Sequence, residues 1–306
     1  MYHRFPFALL TVAAALMWAA NHAQSATKSA SIRPSVAVGP QYDTTHVYVA
    51  PADVDRFAAS FLATFGGQST KQVVATVTPT PSSTTSQLLQ TPVGTVSLFG
   101  FKTPIPFPFG AERTGYLVTD IEVAIKTARS AGADVLVEPF ADPIGRDAVI
   151  QWPGGVNTQI YWHATPPSYP PFQAVPENRV YISPLRSAAF VKSYLAFSHG
   201  KVISDQPQAP GVEIGRAGDT YRRVRIESTF GKLTAFVTDG HLPYPYGREF
   251  TGYEVRNLDE TLAKAKSAGV TVLVEPYKSG DRGSAMALFP GGYIAEIHAS
   301  AAGGTW

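Results

Sequence analysis

Two periodicities alternate along this chain. Phe57, Phe61 and Phe65 stand four residues apart, and Ile121, Ile125 and Arg129 repeat the spacing with Ala128 beside them. Apolar groups at that interval lie on one face of a helix, and Gly132 supplies a stop for the second one. After each helical stretch come short runs rich in Val, Ile and Tyr, broken by Gly and Pro, which predict antiparallel strands. The order strand, helix, strand, strand, strand recurs four times, so the pattern predicts an α+β protein of four βαβββ modules.

Self-similarity fixes how the modules are grouped. TGYLVTDIEVAIKTARSAGADVLVEPF, Thr114 to Phe140, returns as TGYEVRNLDETLAKAKSAGVTVLVEPY, Thr251 to Tyr277, 137 residues on. At the same offset Pro106–Gly110 (PFPFG) meets Pro243–Gly247 (PYPYG), and Pro153-Gly154-Gly155 meets Pro290-Gly291-Gly292. Within each half a fainter copy precedes it: Thr45–Gly67 and Arg179–Gly200 open the halves in the same way. The reading is two homologous domains, 42–166 and 174–301, joined over 167–173 by a Pro-rich connector that suits an extended, semi-rigid chain. Their strands are expected to superpose, with Gly115 and Gly252 in equivalent places.

Composition narrows the rest. Of 306 residues, 44% are hydrophobic, enough for two real cores, while 25 basic against 23 acidic side chains leave a formal charge of only +2. A nucleic-acid partner is not expected, because phosphate recognition needs a concentrated basic face. The chain has no cysteine, which excludes disulfides, thiolate metal sites and a cysteine nucleophile. His3 and Arg4 precede an apolar run from Phe5 to Ala20, and small residues follow at Ala23, Ser25 and Ala26. That order reads as a signal peptide over 1–26, giving a periplasmic or secreted protein with no membrane attachment once it is removed. Residues 27–41 are polar and without period, and are expected to be a disordered lead. GxSxG, GxGxxG, a P-loop and HExxH are all absent, so serine-hydrolase, nucleotide and zincin chemistry have no motif behind them.

Four such modules, with Asp followed by a spaced Ala/Ile helix ending in Ala-Gly-Ala and with a Pro-Gly-Gly turn before the last strand, resemble the glyoxalase/bleomycin-resistance/extradiol-dioxygenase superfamily, the vicinal oxygen chelate fold. The resemblance runs from about Thr45 to Ala299. It implies that pairs of modules curve their sheets into a cup, with a divalent metal held by residues from the start of each module's first strand and the middle of its last. It also implies a small-molecule ligand, oxygenated or aromatic. Members include lyases, isomerases, epoxide-opening transferases, ring-cleaving dioxygenases and drug-sequestering proteins that catalyse nothing.

On those implied columns the first-strand position reads His46, Arg113, Arg179 and Phe250, and the last-strand position Leu98, Gln159, Ala235 and Glu296. No pairing of modules rebuilds a full ligand set, and Arg113 repels a cation. Two sites stay open. Strand alternation puts Glu296 and His298 on one face, and with Glu254 they form a shifted set for one divalent metal ion; the alternative is that Glu296 pairs with Arg179. In the first cup Tyr48, Arg113, Gln159 and Tyr161 surround His46, with His163 on the same face, as a polar, aromatic pocket for an anionic or oxygen-rich compound. His46 and Glu296 are then the candidate catalytic groups. The expectation is an exported superfamily protein, either an enzyme acting on a small oxygenated or aromatic compound with metal assistance, or a non-catalytic sequestering protein with a degenerate metal site.

Overall fold

The computed structural model describes Met1 and residues 35–300; the signal-peptide reading over 1–26 and residues 27–34 of the expected lead lie outside the described residues. In the first half the elements are β1 (Thr44–Val49), α1 (Val54–Phe65), β2 (Gln68–Ser69), β3 (Val73–Ala75), β4 (Thr84–Thr91) and β5 (Gly94–Phe101), then β6 (Thr114–Leu117), α2 (Ile121–Ala131), β7 (Asp134–Ala141), β8 (Gly145–Gln151) and β9 (Asn157–His163). The second half repeats the order with β10 (Glu177–Ile182), α3 (Pro184–Ser198), β11 (Lys201–Pro210), β12 (Thr220–Ser228), β13 (Gly231–Val237), β14 (Phe250–Glu254), α4 (Leu258–Ser267), β15 (Thr271–Ser279), β16 (Arg282–Leu288) and β17 (Ile294–Ser300). The protein is α+β, with two curved sheets.

Both sheets have one topology. The first runs β2-β4-β5-β1-β6-β9-β8-β7, with β3 beside β4, and the second runs β11-β12-β13-β10-β14-β17-β16-β15. Within a module the later strands are antiparallel hairpins, while the first strand closes parallel to the last, as β1 does to β5 and β14 to β17. Consecutive modules therefore share a sheet, joined at β1–β6 and at β10–β14. Each sheet offers one face to a cavity and the other to helices.

Helix ends follow local chemistry. Asp120 accepts the Val123 N–H at 3.0 Å ahead of α2, and Asn257 accepts that of Glu260 at 3.0 Å ahead of α4. Gly132 closes α2 in the left-handed region at φ 94°, where a side chain would be strained. Removing the first cap is expected to cost about 1 kcal/mol, read as a lower urea midpoint for Asp120→Ala at unchanged slope.

The helices pair across the halves. α1 packs on α4 and α2 on α3. One core joins Phe57, Phe61, Leu89 and Leu98 to Tyr253, Phe289 and Ile297; the other joins Tyr116, Ile125, Trp152 and Ile160 to Tyr194, Phe197, Val224 and Ala235. The connector 167–173 separates two sheets, yet both cores contain residues from both halves. Residues 35–41 do not match the expected disorder. Val36 is buried, its carbonyl accepts from Thr119 N–H at 2.8 Å, and Val38 N–H donates to Leu117 at 3.1 Å, so the segment pairs with the sheet and covers the second core.

Candidate functional site

Strand alternation and parallel register decide what each cup contains. Register pairs His46 with Ser97, Gly115 with Gln159, Arg179 with Thr234 and Gly252 with Glu296. The cup-facing residues of β5 and β13 are thus Ser97 and Thr234. Leu98 and Ala235, read from the sequence as ligand positions, point the other way into the helix-side cores. In each cup a glycine stands in the middle of the floor and lets the flanking columns approach. A Cβ at residue 115 would lie 2.5 Å from His46 Nε2, and one at residue 252 would lie 2.7 Å from Glu296 Oε2.

The first cup holds an open cavity of about 890 Å³. His46, Tyr48, Gln159, Tyr161 and His163 line it, together with Asp147 and the apolar Phe99, Phe109 and Trp162. Behind this wall lies Glu112, fully buried, which sequence reasoning missed. Its Oε1 accepts the Tyr48 hydroxyl and stands 3.4 Å from His46 Nδ1. That contact selects the tautomer with the proton on Nδ1 and leaves Nε2, beside Gly115, as an acceptor. Burial, followed by the Glu112 charge, pushes the Tyr48 phenol up, so it donates and does not ionise. Asp147 is also raised well above its ordinary value, by burial and then by Asp142, against an opposing hydrogen bond with Gln159. Tyr161 donates to the Tyr42 carbonyl. The connector contributes too: Pro167 and Tyr169 form part of the cavity wall.

Arg113 is not in that wall. Its guanidinium lies 5.8 Å from the centre of the Tyr48 ring, so the anion-binding role expected of it in the first cup has no geometric support.

The floor of the second cup is closed by ions. Arg179 Nε donates to Glu177 at 3.0 Å and its Nη1 lies 3.3 Å from Glu296. Arg282 reaches Glu177 at 2.8 Å and both oxygens of Glu296 at 3.0 Å. His298 Nδ1 is 2.7 Å from Glu296 Oε2 and 2.8 Å from Arg282 Nη2. Burial alone would raise Glu296, but Arg179 and Arg282, then His298, outweigh it and hold the carboxyl well below the usual range. Burial lowers the His298 imidazole below its ordinary value, against the pull of Glu296.

This donor set does not fit a divalent cation. Glu296 and His298 are together, but two guanidiniums stand where the ion would, and Glu254 is engaged by Lys232 at 3.1 Å. Among the described residues no group of three or more His, Asp or Glu is arranged to hold a metal. The Glu296–Arg179 alternative describes the contact present. The sequence did carry a signal for a charged face in this cup: at Arg223–Ile226 arginine alternates with apolar residues.

Solved structures repeat the whole arrangement of paired modules. A triple mutant of 4-hydroxymandelate synthase from Streptomyces coelicolor matches over 87% of this chain and 93% of its own, with TM-score 0.57 and 13% identity. This chain has the vicinal oxygen chelate fold. Other structures with that fold include the 2,2',3-trihydroxybiphenyl 1,2-dioxygenase of Sphingomonas wittichii (TM-score 0.52, 11% identity, 86% of this chain and 91% of that one) and a Mn(II)-bound glyoxalase from Novosphingobium aromaticivorans (0.50, 14%, 87% and 83%). At such identities the vicinal oxygen chelate likeness concerns the backbone, and the two cups must be read from their own side chains. No protein-family model matches the chain, and no curated protein matches it in sequence.

Proposed function

We propose that the protein takes a small oxygenated aromatic compound into the first cup and moves a proton at His46 Nε2. The observation that carries this reading is the pairing of an open, aromatic-walled cavity with a buried Glu112–His46 contact. Glu112 fixes the imidazole and stabilises the imidazolium formed when Nε2 takes a proton from an acidic O–H or C–H of the ligand. Gln159 offers a hydrogen-bond donor to the resulting oxyanion. The ring-bearing wall of Tyr48, Phe99 and Trp162 supplies the apolar contact. The superfamily of the structural neighbours contains small-molecule enzymes, which supports the ligand class. Its compartment on this reading is the periplasm or the exterior, from the order of the first 26 residues. Among the described residues no helix is long and apolar enough to cross a membrane.

A second reading is sequestration without turnover, favoured by the open cavity and its aromatic wall of Tyr48, Phe99 and Phe109. One experiment separates the two. 4-Nitrocatechol, whose ring absorbance reports ionisation of its hydroxyl, is titrated into the protein below its own pKa. The proposal expects saturable binding with the spectrum of the anion, and in His46→Gln binding with the spectrum of the neutral form. Binding as the neutral form in the parent protein favours sequestration. Absence of saturable binding removes the first cup as the ligand site.

A further inference from the structure

Above the ionic floor of the second cup opens a separate cavity of about 720 Å³. Arg223 and Arg225 of β12 and Arg282 of β16 all line it. Alternation along β12 explains the first two: Val224 and Ile226 are fully buried on the helix side, which sends the intervening arginines into the cup. The same register places in the first cup are Ser86, Leu88 and Gly145, which leave that cavity uncharged there. The basic wall is therefore particular to the second cup.

Not every donor in this wall is used. Arg223 donates to Glu213 and to Gln206, and Arg282 to Glu177 and Glu296. Each still keeps a buried Nε–H with no acceptor. Around the floor the guanidiniums of Arg179, Arg223, Arg225 and Arg282 stand among the carboxylates of Glu177, Glu213 and Glu296. The two acidic groups at the rim, Asp281 and Glu227, are solvated, and Glu227 pairs with Lys201 at 3.7 Å. Burial and then Arg223 depress Arg225, with Arg282 adding to them against Glu177 and Glu213. An anion entering here gains charge-assisted hydrogen bonds in a site partly shielded from water.

We propose that this cavity is an oxyanion pocket that binds a small organic monoanion, a carboxylate, on Arg225 with Arg223 and Arg282. The planar guanidinium fork suits a carboxylate's two oxygens. The proposal does not depend on the chemistry of the first cup.

Calorimetric titration with benzoate tests it, beside benzamide as the neutral analogue and inorganic phosphate as the competing oxyanion. The expected result is saturable benzoate binding that weakens with added salt, with no binding of benzamide. Arg225→Gln should weaken benzoate roughly tenfold or more, because it removes a hydrogen bond to a charged group. Ser204→Phe, which fills the wall and leaves every arginine in place, should abolish binding, and His46→Gln should leave it unchanged. The pocket is overturned if benzoate does not saturate, if benzamide binds equally well, or if Arg225→Gln and Ser204→Phe both bind like the parent. Loss of binding in His46→Gln would move the anion to the first cup. Phosphate binding more tightly than benzoate would overturn the carboxylate assignment.

Discussion

Glu296→Ala is expected to destabilise the protein by about 3–5 kcal/mol, because breaking a buried ion pair leaves its partners charged and uncompensated. Glu296 is fully buried and engages Arg179, Arg282 and His298 together. Once it is gone, two guanidiniums share Glu177 alone on the floor. Urea denaturation checks the magnitude as a lowered midpoint. The same cluster sets a pH signature. Glu177 and Glu296 are depressed in the folded protein, since Arg179 and Arg282 overcome the upward pull of burial. Their stabilisation is fully present above the unfolded carboxyl value of about 4.3 and is lost as pH falls below it. His298 is also depressed, by burial, so its share starts to fall earlier, below about pH 6.5. The parent should lose stability on acidification in that order, and Glu296→Ala should show a flatter slope below pH 4.3. An Ala variant as stable as the parent, with an unchanged acid limb, would mean that the lattice contributes nothing.

Phe61→Ala should cost about 3–5 kcal/mol, the range for deleting a large aromatic side chain from a closed core. Phe61 is fully buried, with Phe57 stacked at 5.4 Å, Phe289 at 5.3 Å and Tyr253 at 5.5 Å between ring centres. Two of those partners belong to the second half of the chain. The expected result is therefore a single transition in which probes of both halves move together. Trp152, in the other core, reports it by fluorescence. Two separated transitions, with only one shifted by the substitution, would show that the halves are independent.

Much of the architecture was legible because periodicity and repetition are properties of the chain itself. The 137-residue offset located the modules, and the Phe57–Phe61–Phe65 spacing identified the buried face of α1. Which helix that face meets was not legible, since the partner on α4 is set by how two sheets stack. The site was half legible. His46, Tyr48, Gln159 and Tyr161 followed from strand alternation in the first cup, and all line its cavity. Ser97 was mistaken for Leu98 because one residue of register turns a side chain to the opposite face. Glu112, in the loop before β6, and Glu177, the first residue of β10, escaped notice because they lie outside the columns compared. Arg282 was missed for a different reason: its counterpart is Gly145, so comparing the halves for likeness passed over the place where they differ most.

The crosswise pairing of helices also governs the order in which the chain can complete its structure. The aromatic face of α1 finds its cover on Phe289 and Tyr293, more than 200 residues downstream. A growing N-terminal half has its own sheet hydrogen bonds within reach but cannot close that core. Loop closure over such a span is slow to be rewarded, so Phe57 and Phe61 stay uncovered until the last module has been made. Native burial is thus a property of the finished chain, and a fragment ending before β14 would expose an aromatic stripe prone to self-association.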